Sequence, residues 1–74
     1  MTTRELDTRG LSCPMPVLKA RKVLKAMTPG ERLAVLADDP KAPDDFVELC
    51  AATGWRLVES SESGGDYRFV VERA

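Results

Sequence analysis

Histidine is absent from the sequence and cysteine occurs only twice. The usual zinc ligand sets therefore cannot be assembled within one chain, and no metal site is expected. Charge of one sign is also lacking: 11 basic against 12 acidic residues leave a net −1, which gives no global attraction to nucleic acid or an anionic membrane. No apolar run approaches the roughly 20 residues that a membrane-spanning helix requires. The opening Met1-Thr2-Thr3-Arg4-Glu5 lacks the apolar segment of a secretory signal. Two cysteines without such a signal fit a reducing compartment, so the cytoplasm is the expected location. What is present is ordinary for a soluble globular protein, 43% apolar and 31% charged. Residues 1–74 allow a single domain with a small core.

The informative stretch is Gly10-Leu11-Ser12-Cys13-Pro14-Met15-Pro16. Two prolines flanking Met15 would break a helix interior, yet the pattern that follows has helical periodicity. Both facts hold if Pro14 and Pro16 lie in the first turn, where backbone N–H groups have no intrahelical partner and the fixed φ of proline suits the helix. Cys13 then falls at or beside the N-cap, a place usually taken by Ser, Thr, Asp or Asn. The positive end of the helix dipole favours thiolate there, so a nucleophilic cysteine is one reading and a cysteine that merely precedes a helix is the other.

Arg4 to Thr8 reads as a short strand ended by Gly10. Pro14 to Met27 reads as a helix with Val17, Ala20, Val23, Leu24 and Met27 along one buried arc. Its opposite side carries Lys19, Arg21, Lys22 and Lys25 around an outward Leu18. Such a face is either a solvated surface or, beside Cys13, a cationic docking surface with an apolar anchor. Thr28-Pro29-Gly30 ends the helix. The apolar run Arg32 to Ala37 has strand length and suits a covered strand. Strand, helix and strand make a βαβ unit, in which helix N-termini lie at the carboxyl ends of strands, where open α/β sheets place their chemistry.

After the turn Asp38-Asp39-Pro40, Pro43, Asp44 and Asp45 start a second helix that Gly54 stops. The four aspartates could bind a hard cation, but turn formation and helix-starting acids explain each of them locally. Phe46, Leu49 and Cys50 share the inner face of this helix. Cys50 is therefore a small core residue or, alternatively, a resolving thiol for Cys13. Trp55 to Ser60 and Tyr67 to Glu72 are two strands joined by a turn containing Gly64-Gly65, with Trp55, Leu57, Tyr67, Phe69 and Val71 inward. The order βαβαββ, with two helices over one face of a mixed four-stranded sheet, is an α/β two-layer sandwich.

Leu6-Asp7-x-x-Gly10-Leu11-x-Cys13-Pro14-x-Pro16 resembles the signature of the TusA-like (SirA-like) sulfur-carrier family. Pro29-Gly30, Ala37-Asp38-Asp39-Pro40, and Asp45 with a cysteine five positions later are similar to that family as well. The resemblance covers nearly the whole chain and implies the same sandwich. It implies sulfurtransferase-like chemistry: Cys13 carries a persulfide taken from a cysteine desulfurase or rhodanese and passes it to a reactive cysteine on an acceptor protein. Gly10, Pro14 and Pro16 would shape the loop and helix start, and Asp45 would neighbour them. Neither an organic cofactor nor direct nucleic-acid contact is implied. Family destinations include tRNA thiolation, molybdenum-cofactor synthesis and sulfur oxidation. Met15, where tRNA-thiolation members commonly have Glu, and Val47-Glu48, in place of a Pro-Gly pair, depart from the best-known members. The expected state is a monomer with transient protein partners. The competing readings are an interaction module in which Cys13 is incidental, and a redox pair of Cys13 with Cys50.

Overall fold

In the computed structural model, which describes residues 3–74, the strand β2 (Arg32–Ala37) is the axis of the sheet. Its apolar run lets it be covered on both sides: Leu33, Val35 and Ala37 are fully buried on one face, and Ala34 is nearly so on the other. The remaining elements are β1 (Thr3–Asp7), α1 (Met15–Ala26), α2 (Ala42–Thr53), β3 (Arg56–Ser63) and β4 (Asp66–Glu72). Strand order is β1-β2-β4-β3, with β1 parallel to β2 and β4 antiparallel to both β2 and β3. The architecture is the expected two-layer α/β sandwich. It follows that β1, β2 and β3 run the same way, and that α1 and α2, which leave β1 and β2, begin at one edge of the sheet.

Both helices pack on the face formed by Leu33, Val35, Ala37, Phe69 and Val71, and supply Ala20, Leu24, Met27, Phe46, Leu49 and Cys50 to the core. Val17 and Val23 border this cluster half-buried, because the arc of α1 that touches the sheet is centred on Ala20 and Leu24. The ring of Phe46 stacks on Phe69 with centroids 4.4 Å apart, which joins α2 to the central antiparallel pair. α2 ends at Gly54, whose φ of 78° is left-handed and whose N–H donates to Cys50 O at 2.9 Å.

Most element ends differ from expectation by one residue, and that of β3 by three. β1 stops at Asp7, and Thr8 leaves the strand fully buried, its Oγ1 donating to Leu36 O at 2.6 Å. α1 begins at Met15, with Pro14 as N-cap and Pro16 inside the first turn. β3 runs on to Ser63 because the turn is only Gly64-Gly65, with Ser63 paired to Asp66. A register shift between Leu57 and Glu59 leaves Val58 unpaired on this edge strand and half-exposed. The bulge kinks the edge, and the polar, exposed residues beyond it discourage pairing with another sheet. Trp55 packs on the core from just before β3, with the Arg73 guanidinium 5.8 Å from its ring centroid.

Phe46 is fully buried in this small core. Phe46→Ala is expected to cost about 3–5 kcal/mol and Phe46→Leu much less, because truncation leaves a cavity against Phe69. Urea unfolding midpoints of the two variants check this; equal midpoints would mean that the Phe46–Phe69 contact contributes little.

Candidate functional site

At the edge where α1 and α2 begin, the loop after β1 is fixed by a chain of carboxylate contacts. Asp7 receives the Arg9 guanidinium through Nε at 3.0 Å and Nη2 at 2.8 Å, and Arg9 reaches on to Asp66 at 3.3 Å. The Arg9 hydrogen bonds hold the exposed Asp7 carboxyl at about 2, below the usual carboxylate range. Gly10 follows with φ at +87°, a left-handed conformation that favours glycine although no atom would touch an added Cβ. Its N–H donates to Asp38 Oδ2 at 2.9 Å, and Leu11 N–H donates back to Thr8 O.

Cys13 comes next, one residue before the N-cap of α1 and joined to Pro14 by a cis peptide bond. Its backbone N–H donates to Asp39 Oδ2 at 2.9 Å, while Asp39 Oδ1 accepts the Lys41 N–H at 2.8 Å. Lys41 is the N-cap of α2, so one carboxylate ties together the approaches to both helices. Those two hydrogen bonds hold Asp39 below its ordinary pKa. Met15 N–H to Ser12 O at 2.9 Å and Leu18 N–H to Pro14 O at 3.0 Å complete the entry into α1.

The Cys13 side chain is half-buried and packs against the core cluster. Burial first, then the Asp45 carboxylate and the negative charge of Asp39, push its pKa up to about 12, and Lys41 only partly opposes them. These influences oppose the pull of the helix dipole toward thiolate: Cys13 stands outside the first turn, Pro14 and Pro16 remove N–H donors, and burial with the charges of Asp45 and Asp39 favours the thiol. Cys50 is buried mid-helix, and burial raises its pKa as well.

The other sequence-derived candidates fall into place around this point. Asp45 is half-buried in the first turn of α2, and its carboxylate raises the Cys13 pKa. Leu18 is 52% exposed and Met15 43% exposed on α1, and Lys19, Arg21, Lys22 and Lys25 are all exposed on that helix. Sequence reasoning missed the tethering parts of Asp38 and Asp39, which it treated as turn formers. It also missed Val47, 57% exposed in the second turn of α2. The available signal was topological: two parallel strands bring the Asp-Asp pair after β2 beside the loop after β1. On the opposite, helix-free face, Asp7, Arg9, Ala34, Leu36 and Arg68 line a shallow groove. Among the described residues no three His, Cys, Asp or Glu side chains converge as a metal site, and no helix is long and apolar enough to cross a membrane.

Titrated by thiolate absorbance in a Cys50→Ser background, Cys13 is expected to ionise at about 12. Its alkylation rate should keep rising through the alkaline range without levelling off. A plateau below the ordinary 9.0 would contradict the assigned environment.

A family model described as Sulfurtransferase TusA matches residues 4–73. The chain is 44% identical over 71 residues to the sulfur carrier protein TusA of Allochromatium vinosum, covering 96% of this chain and 93% of that one. It is also 44% identical over 72 residues to a putative sulfur carrier protein of Neisseria meningitidis serogroup A, covering 97% of both. The crystal structure of a SirA-like protein from Desulfitobacterium hafniense superposes with a TM-score of 0.83 over 96% of each chain at 22% identity, which shows a shared fold. A match that spans nearly every residue places this protein in the TusA family of sulfur carriers.

Proposed function

We propose that this chain is a sulfur carrier that holds sulfane sulfur as a persulfide on Cys13. It takes the sulfur from the persulfide of a donor protein, a cysteine desulfurase or rhodanese, and yields it to a cysteine of an acceptor protein. The observation that carries the reading is a half-buried cysteine on a loop fixed from both sides by Asp38 and Asp39, in a chain of the TusA family. Gly10, Pro14 and Pro16 set the path of that loop into α1. A persulfide on Cys13 would be shielded on its core side and open toward the start of the two helices. The chemistry uses only thiols and persulfides, so no cofactor is required.

Both exchanges join two proteins that must part again, which suits weak, electrostatically steered contacts. Leu18, with Lys19, Arg21, Lys22 and Lys25, forms the docking surface in this reading, and the exposed Met15 and Val47 extend its apolar part. The partners are transient, the carrier is a cytoplasmic monomer, and tRNA thiolation, molybdenum-cofactor synthesis and sulfur oxidation are the candidate destinations. The burial of Cys50 within α2 favours the carrier over a redox pair.

Intact mass after incubation with a cysteine desulfurase and cysteine, and separately with rhodanese and thiosulfate, tests the carrier. One added sulfur atom, removed by reductant and absent in Cys13→Ser but kept in Cys50→Ser, is the expected result. Uptake from neither donor would favour the interaction module instead. Reversing Lys19 and Lys22 to Glu is expected to slow loading from the protein donor at least tenfold and to weaken its salt dependence. Unchanged loading would remove that face from the docking surface.

A further inference from the structure

A thiol that exchanges sulfur with a docked partner has to sit where attack runs close to the line of the S–S bond that breaks. Cys13 lies ahead of α1, outside any helix or strand, and its backbone is held from the other connection of the sheet. Its N–H donates to Asp39 Oδ2 at 2.9 Å and, among the described residues, has no other acceptor. Asp39 is in turn held within its own loop. Its Oδ1 accepts the Lys41 N–H at 2.8 Å, and its backbone carbonyl accepts the Ala42 N–H at 2.9 Å. The carboxylate is thus oriented locally and leaves one oxygen for the facing loop. Asp38, exposed beside it, takes the Gly10 N–H at 2.9 Å, so two consecutive carboxylates hold the loop on the upstream side of the sulfur. On the downstream side, Met15 N–H to Ser12 O and Leu18 N–H to Pro14 O fix the chain to α1.

On the reading that Cys13 carries sulfur, we propose that Asp39 is a positioning residue for the transfer, whose carboxylate fixes the Cys13 backbone so that the sulfur meets a docked persulfide in line. Asp39 itself makes and breaks no bond to sulfur. In loading, Cys13 Sγ, as thiolate, bonds to the outer sulfur of the donor persulfide. The bond from that sulfur to the donor cysteine breaks, and its electron pair leaves with the donor thiolate. The Cys13 proton goes to water, and the departing thiolate takes one from water. In release, an acceptor thiolate attacks the outer sulfur of Cys13–S–SH, and the electron pair of the broken bond returns to Cys13 Sγ. The transferred sulfur keeps its oxidation level throughout, so neither oxidant nor reductant enters.

The arrangement separates aiming from docking. Leu18, Lys19, Arg21, Lys22 and Lys25 stand exposed along α1, whereas Asp39 is half-buried in the β2–α2 loop and its side chain bonds to the backbones of Cys13 and Lys41. Removing the carboxylate leaves the α1 face in place and frees the Cys13 N–H. The site needs a carboxylate because two N–H groups approach its two oxygens. An amide has one acceptor oxygen, and its NH2 would meet the second N–H donor to donor. Asp39→Asn therefore keeps one of the two bonds, and Asp39→Ala keeps neither.

Single-turnover loading from a cysteine desulfurase that already holds its persulfide makes the test. The maximal rate and the half-saturating donor concentration are measured for wild type, Asp39→Ala, Asp39→Asn and Asp44→Asn. The last removes the same charge from an exposed residue in the first turn of α2. Asp39→Ala is expected to lower the maximal rate roughly 10- to 100-fold with half-saturation unchanged, because the sulfur is misplaced while docking is untouched. Asp39→Asn should lose less, and Asp44→Asn should match wild type. Alkylation of Cys13 by iodoacetamide, which has no docked orientation to lose, should not slow in any variant. Urea midpoints show which variants are folded, and Asp39→Asn carries the test if Asp39→Ala is not. A folded Asp39 variant that loads at the wild-type rate, or that raises half-saturation while the maximal rate holds, would overturn the positioning role and leave the carrier intact. No Cys13-dependent uptake by wild type, from this donor or from rhodanese loaded with thiosulfate, would remove the carrier reading itself.

Discussion

One carboxylate holds the site together. Asp39 accepts the backbone N–H of Cys13 through one oxygen and that of Lys41 through the other, so the residue ahead of α1 and the N-cap of α2 share a single anchor. Hydrogen bonds to an ionised acceptor are shorter and stronger than neutral ones. The anchor acts ahead of both helices, neither of whose N-cap residues makes a side-chain capping bond. The anchor also has a definite pH range. Because the folded pKa of Asp39 is lowered, the clamp stabilises above the ordinary carboxylate value and is lost as pH falls through the lowered one. Asp38 repeats the device on Gly10, three residues earlier in the same loop.

The clamp explains why the electrostatics at Cys13 run against the helix dipole. To hold the loop, Asp39 of the β2–α2 connection is brought to the backbone of Cys13, and its charge, with that of Asp45 at the α2 start, raises the thiol pKa. The dipole acts within the first turn and is weakened where prolines replace donors, whereas half-burial, followed by the charges of Asp45 and Asp39, disfavours the thiolate. Positioning of the loop therefore comes at the expense of Cys13 ionisation.

The sheet and both helices were legible in the sequence because their signals are local. The run Arg32 to Ala37 has the bounds expected of it, and the stop at Gly54 follows from its left-handed φ. The core arc of α1 was legible through Ala20, Leu24 and Met27. What was not legible depends on residues far apart in sequence. Thr8 and Leu36 satisfy each other across 28 positions, and Asp39 reaches back 26 positions to Cys13. The length of β3 was underestimated because Ser60 to Ser63 carries no apolar alternation, and only pairing with β4 makes it a strand. The raised pKa of Cys13 was not legible because dipole reasoning sees one helix, whereas carboxylates that follow β2 also act on the thiol.

The most direct measurement of the clamp is the pH titration of the backbone amide resonances of Cys13 and Lys41 by nuclear magnetic resonance. An amide proton bonded to a carboxylate shifts as that carboxylate takes up its proton. The structure predicts that both resonances move together in one transition below the ordinary aspartate value of 3.8, and that Asp39→Asn abolishes both shifts. Amides that titrate separately, or at the ordinary value, would mean that Asp39 does not hold the two helix starts together.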